Sequence, residues 1–305
     1  MPCYHPMTVW RSKAGRDKKT GKWPIVFNIS QGYSDLELKI PCGQCIGCRL
    51  ERSRQWAVRC IHEAKLSSAN CFITLTYSSE FLPSDGSVSV ETCQLFLKRL
   101  RKAVAPLKIR FFNAGEYGTK LSRPHYHMLI FGYDFPDRKP WSQVHGNIYY
   151  RSALLEKLWP YGYSMIGNVS FESAAYVARY IMKKQFGKDA DAYYSGRHPE
   201  FVTMSRRPGI GFEWFRRFHD DVYPSDLVVV RNNVLCRPPR YYDGLLEATD
   251  PDAFRSLKLA RLKTLHAHEH DVDNESERLL VREYIKAKKV EKLVRRFHLD
   301  MDAIE

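Results

Sequence analysis

The period of the hydrophobic positions changes several times between residues 49 and 185. Cys71-Phe72-Ile73-Thr74-Leu75-Thr76-Tyr77 is β-branched and aromatic throughout, which predicts a buried strand. Leu107–Ala114 and His125–Gly132 predict two more strands, joined by the turn residues Gly118 and Ser122-Arg123-Pro124, and Tyr163–Phe171 predicts a fourth. Helical spacing marks Arg49–Ala64, where Leu50, Ala57, Ile61 and Ala64 fall on one side. It recurs through Leu95, Phe96, Leu97, Leu100 and Val104 up to Pro106, then over Ser152–Leu158, and again from Glu172 to about Gln185. The order β-α-β-β-α-β-α is that of an α+β fold with a ferredoxin-like or RRM-like core, an antiparallel sheet with helices on one face.

Three regions follow from this pattern. Residues 1–66 form an N-terminal Cys-rich basic segment, with a basic loop over 11–24, that ends in an Arg-rich helix; residues 67–188 form the core. Residues 189–305 are an accessory region, Tyr- and Arg-rich at first and then a charged helical tail around Arg278–Phe297.

Charge separates the regions further. The 305 residues hold 48 Lys plus Arg against 34 Asp plus Glu, a formal +14. From Arg237 onward the 14 basic and 14 acidic side chains cancel, so the whole excess belongs to residues 1–236. A basic body rich in aromatic rings suits a polyanion, because phosphates attract Lys and Arg while bases stack on rings. A hydrophobic fraction of 44% excludes global disorder. No apolar run approaches the roughly 18 residues of a spanning helix, and Met1-Pro2-Cys3-Tyr4-His5 lacks a signal-peptide pattern. The expectation is a cytoplasmic protein with no membrane contact, whose eight cysteines are free thiols or metal ligands.

Pro124-His125-Tyr126-His127-Met128-Leu129-Ile130-Phe131 is the most informative stretch. Residues two apart on a strand share a face, so His125 and His127 project side by side with Leu129 and Phe131, opposite Tyr126, Met128 and Ile130. Two such imidazoles can bind one divalent cation, and Glu116, where the preceding strand ends, can supply a third ligand across the hairpin. Downstream, Tyr176 and Tyr180 are four residues apart and therefore share a helix face with Lys183, while Lys184 lies to one side. A phenol is a poor nucleophile at its ordinary pKa near 10 and needs a polarised electrophile. A phosphodiester held by a cation at His125, His127 and Glu116 provides one, Lys183 offsets charge on the phosphate, and two tyrosines permit successive transesterifications. Taken singly, each motif is also compatible with ordinary packing; their conjunction carries the reading.

Phe72-Ile73-Thr74-Leu75-Thr76-Tyr77, Pro124-His125-Tyr126-His127 and Tyr176-Val177-Ala178-Arg179-Tyr180, in that order, resemble the three motifs of HUH endonucleases that start rolling-circle replication. The resemblance is nearest to the replication initiators of microviruses, the gokushovirus branch in particular, and spans roughly residues 1–190. Tyr126 stands between the histidines where the family pattern has a bulky hydrophobic residue. The resemblance implies an HUH nuclease core with His125, His127 and Glu116 as ligands of Mg²⁺ or Mn²⁺, and Tyr176 and Tyr180 as nucleophiles. It further implies nicking of the origin strand of duplex replicative-form DNA, a 5′-phosphotyrosine link, and strand transfer that circularises a unit-length single strand. Single-stranded and duplex origin DNA, host helicase and host polymerase are the partners it implies, in the cytoplasm of a bacterial host.

Cys42-x-x-Cys45-x-x-Cys48 offers three thiolates, and Cys3, His5 or Cys60 can complete a structural zinc site. Such an ion would pin the N-terminal arm and the helix bearing Arg49, Arg52, Arg54 and Arg59, which with Lys184 are the candidate DNA contacts. Cys71, Cys93 and Cys236 read as isolated buried hydrophobes. The competing reading of the whole chain is a non-catalytic, zinc-stabilised nucleic-acid-binding protein; a transposase or relaxase of the same HUH chemistry differs in biology rather than mechanism.

Overall fold

The computed structural model describes residues 3–118, 121–144, 146–180, 190–231, 233–267 and 271–293. Its chain divides into two units, one made of residues up to Glu51 together with His266–Leu293, the other of Arg52–Leu265.

In the first unit, β1 (Met7–Ser12), β2 (Ile25–Val26) and β3 (Gly32–Ile40) form an antiparallel sheet in the order β2-β1-β3. Leu36-Glu37-Leu38-Lys39-Ile40 alternates as a strand should, and Leu38 pairs with Val9. The basic loop predicted over 11–24 is therefore the tip and flank of a hairpin, its turn held by Asp17, whose carboxylate accepts from the Thr20 and Lys19 backbone N–H groups.

The second unit is built on a seven-stranded sheet in the order β10-β5-β6-β4-β9-β8-β7. The strands are β4 (Asn70–Tyr77), β5 (Arg110–Tyr117), β6 (Pro124–Phe131), β7 (Lys139–Val144), β8 (Asn147–Arg151), β9 (Gly162–Gly167) and β10 (Phe201–Met204), and every pairing is antiparallel. The continuous apolar run of β4 is explained by its place in the middle of the order, with neighbours along both edges and cover on both faces. One face packs Cys71, Ile73, Leu75, Tyr126, Met128 and Ile130 against α2 (Val90–Ala103) and α3 (Ala153–Leu158), with Trp159 fully buried among them. The opposite face packs Phe72, Phe112, Ala114, Leu129 and Phe131 against α1 (Ile46–Ala64), through Ala57 and Cys60, and against α4 (Phe171–Arg179).

The α+β class and large antiparallel sheet are as expected, and the alternation predicted along β6 holds residue by residue. The structure adds cover to the second face, so α1 and α4 lie over the side on which the histidines project. It also moves boundaries. The strand expected at Leu107–Ala114 runs Arg110–Tyr117, which puts Glu116 inside it rather than past its end. The strand expected at Tyr163–Phe171 stops at Gly167, because Ser170 and Ser173 form a reciprocal capping box that starts α4 at Phe171. The β7–β8 hairpin and β10 extend the sheet at either edge beyond the four predicted strands, and β10 comes from the region set apart by composition.

Beyond β10, α6 (Phe212–Val222), the β11–β12 hairpin (Val228–Arg231, Val234–Cys236), α7 (Arg240–Thr249) and α8 (Pro251–Ala267) follow a short α5 (Ala190–Tyr194). Phe215, Tyr242, Leu246 and Leu257 form their small core. Arg261 ties them together, its guanidinium bridging Asp226 and Asp243. The charged tail expected around Arg278–Phe297 is the helix α9 (Ser276–Leu293) over its described part. Among the described residues no helix is long and apolar enough to cross a membrane.

Candidate active site

The site grows from the register of three adjacent strands. His125 lies opposite Glu116 on β5 and Thr76 on β4, and His127 lies opposite Ala114 and Thr74. Side chains of one parity therefore share the face under α4, and Glu116, His125 and His127 are all buried there. Thr74 Oγ1 is 3.0 Å from His127 Nδ1, and Glu116 Oε1 is 3.0 Å from His127 Nε2, so both ring nitrogens are held. The His125 and His127 rings are 6.5 Å apart between centroids.

Two imidazoles and a carboxylate form a mixed nitrogen and oxygen donor set that suits Mn²⁺ or Mg²⁺ once the imidazoles are neutral. The three donor atoms are not drawn into one tight sphere, however. Among the described residues, the group of three or more metal-ligating side chains whose donor atoms all lie within 4.8 Å of one another is Cys3, Cys42, Cys45 and Cys48. Cation binding at the histidines thus requires the Glu116–His127 hydrogen bond to open, so that each partner turns a lone pair to the ion.

α4 brings the phenols to the same place. Tyr180, the residue that ends the helix, stacks on His127 with centroids 4.7 Å apart and planes 3° from parallel. Tyr176 meets His127 edge-on at 5.3 Å, and the two tyrosine rings are 5.0 Å apart. Phe72 closes the cluster, stacked toward His127 at 6.0 Å and edge-on to Tyr176 at 6.3 Å. Ala174 and Ala178 are fully buried, so short side chains let the helix approach the sheet. Burial drives both phenols above their ordinary pKa, and the nearby Glu116 charge adds to the effect. For Tyr176, hydrogen bonding to Tyr180 and the Arg179 charge act in the opposite direction.

The structure thus gathers Glu116, His125, His127, Tyr176 and Tyr180 in one buried cluster. Lys183 and Lys184 lie outside the described residues. Thr74, Phe72 and Arg179 join the cluster without having been singled out; the signals for them were the parity of β4 and the i,i+3 spacing of Arg179 from Tyr176. Of the candidate DNA contacts, Arg59 is committed within the fold, its guanidinium 4.0 Å from the Trp56 ring centroid and 3.9 Å from that of Tyr241, while Nε donates to the Ile210 carbonyl. Arg54 donates to Cys236 Sγ and to the Arg237 carbonyl, and Arg52 is exposed. Arg49 stands in the first turns of α1, its backbone N–H on the Cys45 carbonyl.

Of the three groups offered as a fourth ligand, Cys3 is the one that lies with Cys42, Cys45 and Cys48. Cys60 is buried in the sheet core, and His5 pairs with Glu283. Cys71 and Cys93 are buried as expected, whereas Cys236, near the end of the short β12 hairpin strand, is only half-buried and accepts from Arg54.

Comparison with known proteins places the chain. Residues 70–185 match the profile of the family described as replication-associated protein ORF2/G2P. The chain is 34% identical over 268 residues to replication-associated protein VP4 of Bdellovibrio phage phiMH2K, covering 82% of this chain and 83% of that protein. The chain belongs to this family of phage replication-associated proteins. It is also 31% identical over 270 residues to replication-associated protein ORF2 of Spiroplasma virus 4, covering 83% of each. To replication-associated protein ORF4 of Chlamydia phage 1 it is 32% identical over 227 residues, 70% of this chain and 56% of that protein. No solved structure matches it. The family match begins with the first residue of β4 and takes in all five members of the buried cluster, which agrees with the microvirus-like motifs read from the sequence.

Proposed function

We propose that this chain is a rolling-circle replication initiator that nicks the origin strand of duplex phage replicative-form DNA and later rejoins it. The observation that carries the reading is the packing of Tyr176 and Tyr180 on His127, which also contacts Glu116: the proposed nucleophiles and ligand groups meet on one sheet face. In the nicking step a tyrosine oxygen bonds to the scissile phosphorus and the bond from phosphorus to the 3′ oxygen breaks. The 3′ oxygen leaves, takes up a proton and becomes the primer hydroxyl, while the 5′ phosphate stays on the tyrosine.

A bound Mg²⁺ or Mn²⁺ would polarise the phosphoryl group and neutralise charge. His125, His127 and Glu116 are the residues that would hold it. Thr74 holds the plane of His127 through Nδ1, with Nε2 on the Glu116 side. The Glu116 carboxylate, whose charge helps to raise the Tyr180 pKa, is the acceptor assigned to the phenol proton. Lys183 would balance phosphate charge, the second tyrosine would attack the regenerated origin junction, and the 3′-hydroxyl so freed would attack the first phosphotyrosine, closing the single-stranded circle and releasing the first tyrosine. A host polymerase would extend the 3′-hydroxyl, a host helicase would open the duplex, and the reaction would take place in the bacterial cytoplasm. The +14 charge supports a DNA partner.

The test is an adduct assay with a 3′-labelled single-stranded origin oligonucleotide and Mn²⁺ on a denaturing gel. A shifted band that needs the cation and disappears when both tyrosines become Phe is expected. The non-catalytic, zinc-stabilised nucleic-acid-binding reading draws on the four-thiol cluster and on the burial of both phenols. It replaces the nuclease if DNA binds tightly and no adduct forms at any candidate origin.

A further inference from the structure

We infer that Cys3, Cys42, Cys45 and Cys48 hold one zinc ion, and that this centre fastens the C-terminal helix α9 to the N-terminal segment. Their sulfurs lie within 4.8 Å of one another, and Cys3 Sγ is 3.9 Å from Cys45 Sγ. Four thiolates about 2.3 Å from a zinc ion form a tetrahedron with edges of roughly 3.8 Å, whereas a disulfide needs sulfurs about 2 Å apart. All four cysteines are free thiols.

The backbone around them is arranged for thiolates. The Tyr4 N–H donates to Cys45 Sγ at 3.4 Å and the Cys42 N–H to Cys3 Sγ at 3.2 Å. The N–H groups of Gln44 and Cys45 both donate to Cys42 Sγ, at 3.4 and 3.3 Å. Such donors orient sulfur ligands and disperse their charge. Gly43 makes the turn possible with φ +75°, a conformation that favours glycine, and Cys48 follows Cys45 by three residues in the first turn of α1, on the same side.

A second, independent observation is how little else holds this unit together. Among its described residues the buried apolar side chains are Tyr4, Val9, Cys45 and Leu279. Meanwhile Ile25, Phe27, Ile29 and Tyr33 on the sheet side, and Leu280, Val281, Tyr284 and Ile285 on α9, are exposed. A core of that size does not repay the chain entropy of ordering two distant segments without a staple. The staple is placed where α9 meets the knot: Leu279 packs with Tyr4 and Cys45, and Glu283 pairs with His5 at 2.6 Å.

The inference is independent of the nuclease reading and is tested on the full chain, purified from zinc-supplemented cells and dialysed against metal-free buffer. Elemental analysis is expected to count one zinc per chain, lost in Cys3→Ser and in Cys42→Ser but retained in His127→Ala. If the serine variants fail to fold, cobalt substitution of the wild-type chain decides, since a tetrahedral thiolate site gives intense visible absorption. Removing the metal should also open α9 to limited proteolysis, as should Leu279→Asp, which leaves the thiols in place. A wild-type chain with no zinc and no cobalt–thiolate bands, or zinc that survives both serine variants, overturns the site. Unchanged protection of α9 after metal removal overturns its role as a fastener.

Discussion

The phenol of Tyr180 lies flat on the imidazole of His127, 4.7 Å between centroids and 3° from parallel. The proposed nucleophile and the proposed metal ligand are therefore in direct ring contact. Tyr180→Phe keeps the stack and removes only the hydroxyl. It is expected to change stability by no more than about 1 kcal/mol, the scale of one hydrogen bond, while strand transfer falls sharply. Tyr176→Phe should behave alike, and the double variant should form no covalent adduct although its circular dichroism and melting curve stay native. Adduct formation by the folded double variant would remove α4 from the chemistry.

Glu116 faces His125 in the strand register and hydrogen-bonds His127, so its charge serves both imidazoles. Glu116→Gln preserves shape and removes the anion. Mn²⁺ affinity, followed by titration calorimetry, is expected to fall by roughly 10–100-fold or more. Glu116→Ala should in addition cost about 1–3 kcal/mol, because buried polar partners lose their acceptor. Mn²⁺ affinity in Glu116→Gln equal to that of the wild type would exclude the carboxylate as a ligand.

His62 supplies a pH test unrelated to catalysis. Its ring is fully buried, stacked 3.5 Å from Trp214, with Nδ1 2.9 Å from the Tyr242 hydroxyl. Burial, reinforced by the Lys65 charge, holds its pKa down at about 3. The unfolded chain binds the proton from near pH 6.5 downward and the folded chain does not. Stability present above pH 6.5 is therefore lost as the pH falls toward 3, by about 2 kcal/mol at pH 5. Denaturant melts of the wild type between pH 7 and 4 should show this slope and those of His62→Gln should not. Parallel slopes would place the acid sensitivity elsewhere.

Much of the site was readable because strand parity is a two-residue rule: one triplet fixes the face of His125 and His127, and the four-residue spacing of Tyr176 and Tyr180 fixes theirs. Glu116 was readable as a companion of the histidine pair but not as a strand residue, since Gly115 and Gly118 on either side resemble turn signals. The first-unit sheet was hidden differently. Its alternation at Leu36–Ile40 is clear, but the partner strand adjoins a basic run that reads as a loop. The burial of Arg59 between two rings had no local signal, because Tyr241 is far away in sequence. Strand β10 is four residues long and takes its place from a contact with no local sequence signal, that of Phe201 over Gly115.

That contact supports a final prediction. A Cβ on Gly115 would lie 2.6 Å from the Phe201 ring, too close for any real contact, so this strand position has no room for a side chain. Gly115→Ala must push Phe201 outward, and with it β10, which pairs Phe201 with Gly115 directly. Overpacking of this kind costs about 1–3 kcal/mol, expected as a lower melting temperature. The strain also falls on the residue next to Glu116, so Mn²⁺ affinity should drop in Gly115→Ala although no ligand has changed. The double variant Gly115→Ala, Phe201→Ala relieves the clash at the expense of an edge contact, and recovery of Mn²⁺ affinity in it is expected. If affinity stays low there, the loss in the single variant does not arise from the Phe201 contact.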